Sequence, residues 1–150
     1  MANRFTNIKL HLVFAFKGHE ATIPEENLPS LFSYIAKSIN SRGHHAIEVG
    51  GPPDHVHILF EYNPNDNLSD LIRSLKSASN IYIRENHLSP CNAQWQRGYG
   101  CFSVSCNNFE KTLHYIQNQK GHHTHTNVRE ELRLMLHMAG MHYDDAYLFD

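Results

Sequence analysis

Gly50-Gly51-Pro52-Pro53-Asp54-His55-Val56-His57-Ile58-Leu59-Phe60-Glu61 reads as a sharp turn followed by a strictly alternating strand. Glycines and prolines in succession punctuate the chain, because neither a helix nor a hydrogen-bonded ladder runs through them. Beyond them a period of two places Val56, Ile58 and Phe60 on one face, with His55, His57 and Leu59 on the other. A short strand over 46–49 meets the turn from the other side. Further upstream, Leu28, Leu31, Phe32, Ile35, Ala36 and Ile39 recur at helical spacing until Gly43 ends the helix. Before that helix, Ile8, Leu10, Leu12, Phe14 and Phe16 alternate as a first strand.

Downstream of the turn-strand unit, Asn63-Pro64-Asn65-Asp66-Asn67 is a loop. Leu68, Leu71, Ile72, Leu75, Ala78 and Ile81 then form a second amphipathic helix, broken by Pro90 and its neighbours. Residues 99–105 read as a fourth strand, and Asn107-Asn108 cap a third helix running to about Gln119. Residues 130–138 make a fourth helix ahead of a polar-aromatic tail. The order β-α-β-β-α-β followed by helices predicts an α+β domain with a ferredoxin-like, split β-α-β antiparallel sheet. One sheet face packs on the two intervening helices. The other needs the C-terminal helices, a partner subunit or a ligand to cover it.

The 150 residues suit a single domain, which buries roughly 70% of its unfolded surface. No apolar run approaches the roughly 18 residues of a membrane span, and the N-terminus does not resemble a secretory signal. Cys91, Cys101 and Cys106 are odd in number and not in C-x-x-C spacing, so reduced thiols and a cytoplasmic location are expected. The formal net charge of −2 argues weakly against strong binding to duplex DNA, which calls for many phosphate-neutralising cations. Thirteen histidines weigh on the other side, many of them within 44–57 and 114–125. Histidine is the commonest metal ligand and a neutral donor to phosphate.

His55 and His57 project from one strand face roughly 7 Å apart, close enough for both to reach one metal ion. Alone, an H-x-H pair is more often chance on a half-exposed strand. The third helix adds to it. Tyr115 and Gln119 stack on one helical face about 6 Å apart, while Phe109, Leu113 and Ile116 supply the packing face. Most tyrosines are core or rim residues with a hydrogen-bonded hydroxyl, and Tyr34, Tyr82 and Tyr143 read that way. Tyr115 differs in having a hard oxygen ligand, the Gln119 amide, one turn on. Two imidazoles and an amide oxygen leave open positions on a divalent ion for phosphate oxygens. A phenol with an ordinary pKa near 10 needs in-line positioning to attack phosphorus. The product, a phosphotyrosine ester, keeps the bond energy for rejoining. No G-x-x-x-x-G-K-[ST] loop occurs, and no nucleotide cofactor is expected.

The segment Pro53-Asp54-His55-Val56-His57-Ile58-Leu59 resembles the HUH motif of the small single-tyrosine transposases of bacterial insertion sequences and of their relatives at repetitive extragenic palindromes. Further segments resemble the same family in the same order: His11-Leu12-Val13-Phe14, Leu68 to Ser77, Trp95-Gln96-Arg97-Gly98-Tyr99 with Ser103-Val104-Ser105, Tyr115-Ile116-Gln117-Asn118-Gln119 with His122-His123, and Tyr143 to Leu148. The resemblance implies that His55, His57 and Gln119 bind Mg²⁺ or Mn²⁺. Tyr115 would form a 5′-phosphotyrosine link as a 3′-hydroxyl leaves. It also implies hairpin-bearing single-stranded DNA as partner and a homodimer in which the tyrosine helix can dock on the neighbour's HUH site. Exposed edges of a short-stranded sheet point to a two-fold dimer as well. Cys106-Asn107-Asn108 would be the hinge.

The expected phosphate contacts are Lys17, Arg73, Lys76, Arg97, Lys111 and Lys120. The segment Lys17-Gly18-His19-Glu20 is less basic than is usual in the family. His122, His123 and His125 fit phosphate contact or a solvated helix end better than metal ligation. Three other readings compete: a domesticated relative that processes repeated palindromes, a non-catalytic hairpin binder, and a histidine-rich soft-metal protein. The cysteines are not spaced for the last.

Overall fold

The computed structural model describes residues 5–18, 22–119 and 127–148. Four strands, β1 (Lys9–Ala15), β2 (His45–Gly50), β3 (His55–Glu61) and β4 (Gly100–Ser103), form one sheet. Its order is β2-β3-β1-β4 with every pair antiparallel, the ferredoxin-like α+β arrangement. Helix α1 (Leu28–Ser41) links β1 to β2, and α2 (Leu68–Glu85) links β3 to β4. The shorter α3 (Phe109–Gln117) and then α4 (Val128–Met138) follow.

Local chemistry sets most boundaries. Helix α1 stops where Gly43 takes φ +90°, a conformation open to glycine at little cost. Helix α2 starts on the Asn67 side chain, which accepts the Asp70 N–H at 3.0 Å. Its end departs from expectation. His87, at φ 50°, turns the chain before Pro90 is reached, and the Leu88 N–H returns to the Ile83 carbonyl at 3.0 Å. The side-chain cap expected from Asn107-Asn108 is also absent. A 3-10 turn over Cys106–Asn108 leads into α3 instead.

Leu12, Phe14, Val56, Ile58 and Phe60 bury on one sheet face with Ile35 and Ile39 of α1 and Leu71 and Leu75 of α2. Trp95 closes this core, stacked 3.9 Å from Phe16 between ring centroids. On the opposite face Val13 and Ala15 receive Val128, Leu132 and Leu136 of α4, with Leu148 from the tail. Among the three covers considered for that face, helix α4 of the same chain fills the role. Its N-terminus is fixed by Asn127, whose side chain accepts the Glu130 N–H at 2.9 Å. No helix among the described residues is long and apolar enough to cross a membrane.

Candidate metal centre and nucleophile

Alternation along β3 turns His55 and His57 away from the main core, yet both are buried, because α4 roofs them. In α4, Val128, Leu132 and Leu136 fall at i, i+4 and i+8, so position 131 lies on the same inward stripe. Glu131 is therefore carried down onto the two imidazoles. Its Oε2 lies 2.9 Å from His55 Nε2 and 3.2 Å from His57 Nε2. These three ligand atoms lie within 4.8 Å of one another, and all three residues are buried.

The far nitrogens are also held. His55 Nδ1 lies 2.8 Å from Asp54 Oδ1, and His57 Nδ1 lies 2.9 Å from Nε2 of His11 on β1. Metal-ligating histidines commonly have such a partner on the second ring nitrogen, which fixes the ring and its tautomer. Burial lowers His55 basicity, but its hydrogen bonds to Asp54 and Glu131 outweigh that and hold the pKa above the ordinary histidine value. Glu131 shifts the other way. Desolvation raises its pKa, while the hydrogen bonds and charges of His55 and His57 bring it well below the usual carboxylate range. The site therefore rests as a carboxylate held between imidazoles. Two nitrogen donors and one anionic oxygen converging on a single point suit a divalent cation of borderline to hard character.

Tyr115 approaches from α3, its ring edge-on to His57 at 5.5 Å between centroids. Its hydroxyl donates to Glu131 and also engages the Gln119 amide. Burial first, and the neighbouring Glu131 charge second, push the phenol well above its ordinary pKa. The single chain thus brings its own tyrosine to its own histidines. The contact that seats α3 is Ile116, which is buried against Gly50 at the end of β2. A Cβ at Gly50 would lie 2.9 Å from the Ile116 carbonyl oxygen, so only glycine lets the helix approach this closely.

Gln119 is buried at the end of α3, its Nε2 donating to the Tyr115 carbonyl at 3.3 Å. Of the expected phosphate contacts, Lys111 is exposed and rims a cavity of about 430 Å³ whose lining includes Tyr115, Glu131 and Phe102. Lys17 and Arg97 are exposed. Arg73 pairs with Asp70 at 2.9 Å on the surface. Lys76 is half-buried, its ammonium donating to the Gln96 and Gly98 carbonyls at 3.0 and 2.5 Å, and burial lowers its pKa. Lys120, His122, His123 and His125 lie outside the described residues. Sequence reasoning did not single out Glu131, although an acidic residue inside an apolar i, i+4, i+8 stripe was the available signal. The pairing role of His11 was equally implicit in its alternation with Val13 and Ala15.

Residues 4–119 match the sequence family of IS200-like transposases, and the chain belongs to that family. No curated protein matches it by sequence. Two solved structures share the fold. One is a protein assigned as a transposase in Deinococcus radiodurans R1, with 21% identity, 79% of this chain and 95% of that chain covered, and a TM-score of 0.59. The other is a REP-associated tyrosine transposase bound to a REP hairpin, with 14% identity, 100% and 92% covered, and a TM-score of 0.61. The possible metal site of His55, His57 and Glu131 fits the HUH pattern of such enzymes.

Proposed function

We propose that the protein nicks and rejoins single-stranded DNA at hairpin-marked sites, with Tyr115 as nucleophile and Mg²⁺ or Mn²⁺ held by His55, His57 and an oxygen ligand. The observation that carries this is the cluster itself. The Tyr115 hydroxyl, the two HUH imidazoles and Glu131 meet through direct hydrogen bonds at the edge of a cavity. Two side chains can supply the oxygen. Gln119 touches the nucleophile, while Glu131 already faces both Nε2 atoms and carries charge. A divalent cation at this point would neutralise non-bridging phosphate oxygens.

The chain's own groups do the rest. In the resting site the phenol is raised and the carboxylate beside it lowered, so the proton stays on Tyr115. Phosphate engagement has to weaken that preference before attack. The Tyr115 hydroxyl then gives up its proton as its oxygen bonds to phosphorus, the P–O3′ bond breaks, and the departing 3′-oxygen takes up one proton, so that none is gained or lost overall. Lys111 at the cavity rim is placed to meet an incoming phosphate. Hairpin recognition is inferred from the REP-associated tyrosine transposase, which was captured on a hairpin. A homodimer is proposed because β2 and β4 are the edge strands of the sheet, and a symmetric partner could pair with such an edge.

The test is covalent capture. Wild type incubated with Mg²⁺ or Mn²⁺ and labelled single strands from the gene's flanks gives a denaturation-resistant adduct. Tyr115→Phe, which deletes one oxygen, gives none while melting like wild type. An unchanged adduct from the Phe variant would reject Tyr115 as nucleophile.

A further inference from the structure

The half-buried ammonium of Lys76 is already engaged by its own chain. From the third turn of α2 it donates to the Gln96 and Gly98 carbonyls at 3.0 and 2.5 Å. The rings of Phe14 and Tyr99 lie 5.5 and 5.9 Å from it, within cation–π reach. Those two carbonyls flank Arg97, so the ammonium closes a turn with Arg97 at its tip. Two further side chains of α2 hold the same segment. Ser79 Oγ accepts the Trp95 indole N–H at 2.7 Å, and Asn80 Oδ1 accepts the Trp95 backbone N–H at 3.2 Å. Positions 76, 79 and 80 are three and four residues apart and so share one helical face.

On its other side the segment is fastened to the end of β1. The Gln96 N–H donates to the Ala15 carbonyl at 2.9 Å, and the Lys17 N–H to the Gln94 carbonyl at 2.8 Å. Ala15 in turn pairs with His55 across the sheet. The backbone at Gln96 therefore lies two strand spacings, roughly 10 Å, from that of His55. What the turn carries is an open guanidinium. Arg42, Arg73 and Arg133 are each taken up by an aspartate. Arg97 is exposed and, among the described residues, has neither an ion pair nor a side-chain hydrogen bond.

A guanidinium fork grips a phosphate bidentately, and does so best from a backbone that is held still. An ammonium whose donors already rest on two carbonyls would have to abandon both, and both rings, to do the same. We propose that Lys76 is a positioning residue for DNA binding, which fixes the 96–98 turn so that Arg97 meets a backbone phosphate of the bound strand. This inference rests on the DNA reading proposed above. It departs from the expectation that Lys76 and Arg97 are two parallel phosphate contacts. The two cations act in series, and the loss of Lys76 is felt only through Arg97.

The experiment is a double-mutant cycle on DNA binding, read by fluorescence anisotropy in EDTA over a salt series, with labelled hairpin-bearing single strands from the gene's flanks. Arg97→Gln loses about tenfold in affinity, the lower end for a charge-assisted hydrogen bond, and the slope of log affinity against log salt falls by about one. Lys76→Met, whose unbranched stem still covers Phe14, loses no more than Arg97→Gln and shows a fall in slope no larger. The double variant binds like Arg97→Gln alone in both readings. Additive losses, with a second unit gone from the slope, make Lys76 an independent phosphate contact and overturn the proposal. So does full affinity in a folded Lys76→Met protein, or in Arg97→Gln. Should Lys76→Met not fold, acetylation of wild-type lysines decides. Lys76 reacts slowly in the free protein and DNA leaves its rate unchanged; fast labelling that DNA suppresses overturns the role. In each of those cases wild type still forms the Tyr115 adduct and the DNA reading stands. If wild type binds no such strand and forms no adduct, the DNA reading falls and the Lys76 role with it.

Discussion

Replacing Glu131 with glutamine separates its proposed role as metal ligand from its role as clasp for α4. Val128, Leu132 and Leu136 bury against the sheet, and at about 1.5–3 kcal/mol per buried aliphatic side chain they contribute roughly 5–9 kcal/mol. That is an upper figure, because the unfolded chain already hides part of this surface. Each hydrogen bond from His55 and His57 to the charged carboxylate is worth about 1.5–3 kcal/mol. A glutamine carbonyl keeps one neutral bond, so the net loss is roughly 2–5 kcal/mol. Helix α4 should stay docked, with a lower melting temperature. The electrostatic loss toward a cation is larger. Unit charges 4 Å apart at an effective dielectric of 20 attract by about 4 kcal/mol, and a divalent ion doubles this. Desolvating the carboxylate and breaking its bonds to the histidines offset most of it. A tenfold loss, about 1.4 kcal/mol, is the expected floor. Calorimetric Mn²⁺ titration of both proteins measures it, with hydrogen exchange confirming that α4 is still protected. Unchanged affinity in a protein with α4 docked would refute Glu131 as a ligand and leave Gln119 as the oxygen donor.

Four other outcomes follow from the same geometry. Gly50→Ala should push Ile116 and α3 outward by a few tenths of an ångström or more, cutting adduct formation while Mn²⁺ affinity holds; full activity would show that the seat of α3 does not position Tyr115. In EDTA the melting temperature should peak between pH 4.5 and 6.5, the ordinary values of Glu131 and His55. The lowered Glu131 contributes above the first and fades only as pH falls through its depressed pKa, whereas the raised His55 contributes below the second and fades as pH rises through its elevated one. Metal affinity should instead climb with pH, since the cation displaces the His55 proton; a flat profile would contradict that. Mixing Tyr115→Phe subunits with His55→Ala subunits should leave cleavage absent, because each chain seats its own tyrosine. Restored activity in confirmed heterodimers would show that α3 exchanges between chains.

The sheet was legible because its faces are written in a period of two, and Gly43 and the turn at 50–54 leave little choice about where elements end. The position of α2's end was not, because a histidine in a left-handed conformation did the work assigned to Pro90. The site divides in the same way. Of the proposed site, the placement of His55, His57 and Tyr115 on their elements could be read locally, since a strand and a helix each fix spacing along their own axis. Glu131 could not, because its role depends on which of the possible covers lies over the second sheet face, a tertiary choice made by Val128, Leu132 and Leu136 packing on Val13 and Ala15. The weak net charge loses much of its force once the site is seen. What the proposed site would bring to a phosphate is less a field of cations than a buried point where two imidazoles and one carboxylate converge. A protein built so should bind DNA with a shallow salt dependence, its selectivity resting on the shape of the strand that reaches Tyr115 rather than on counting phosphates.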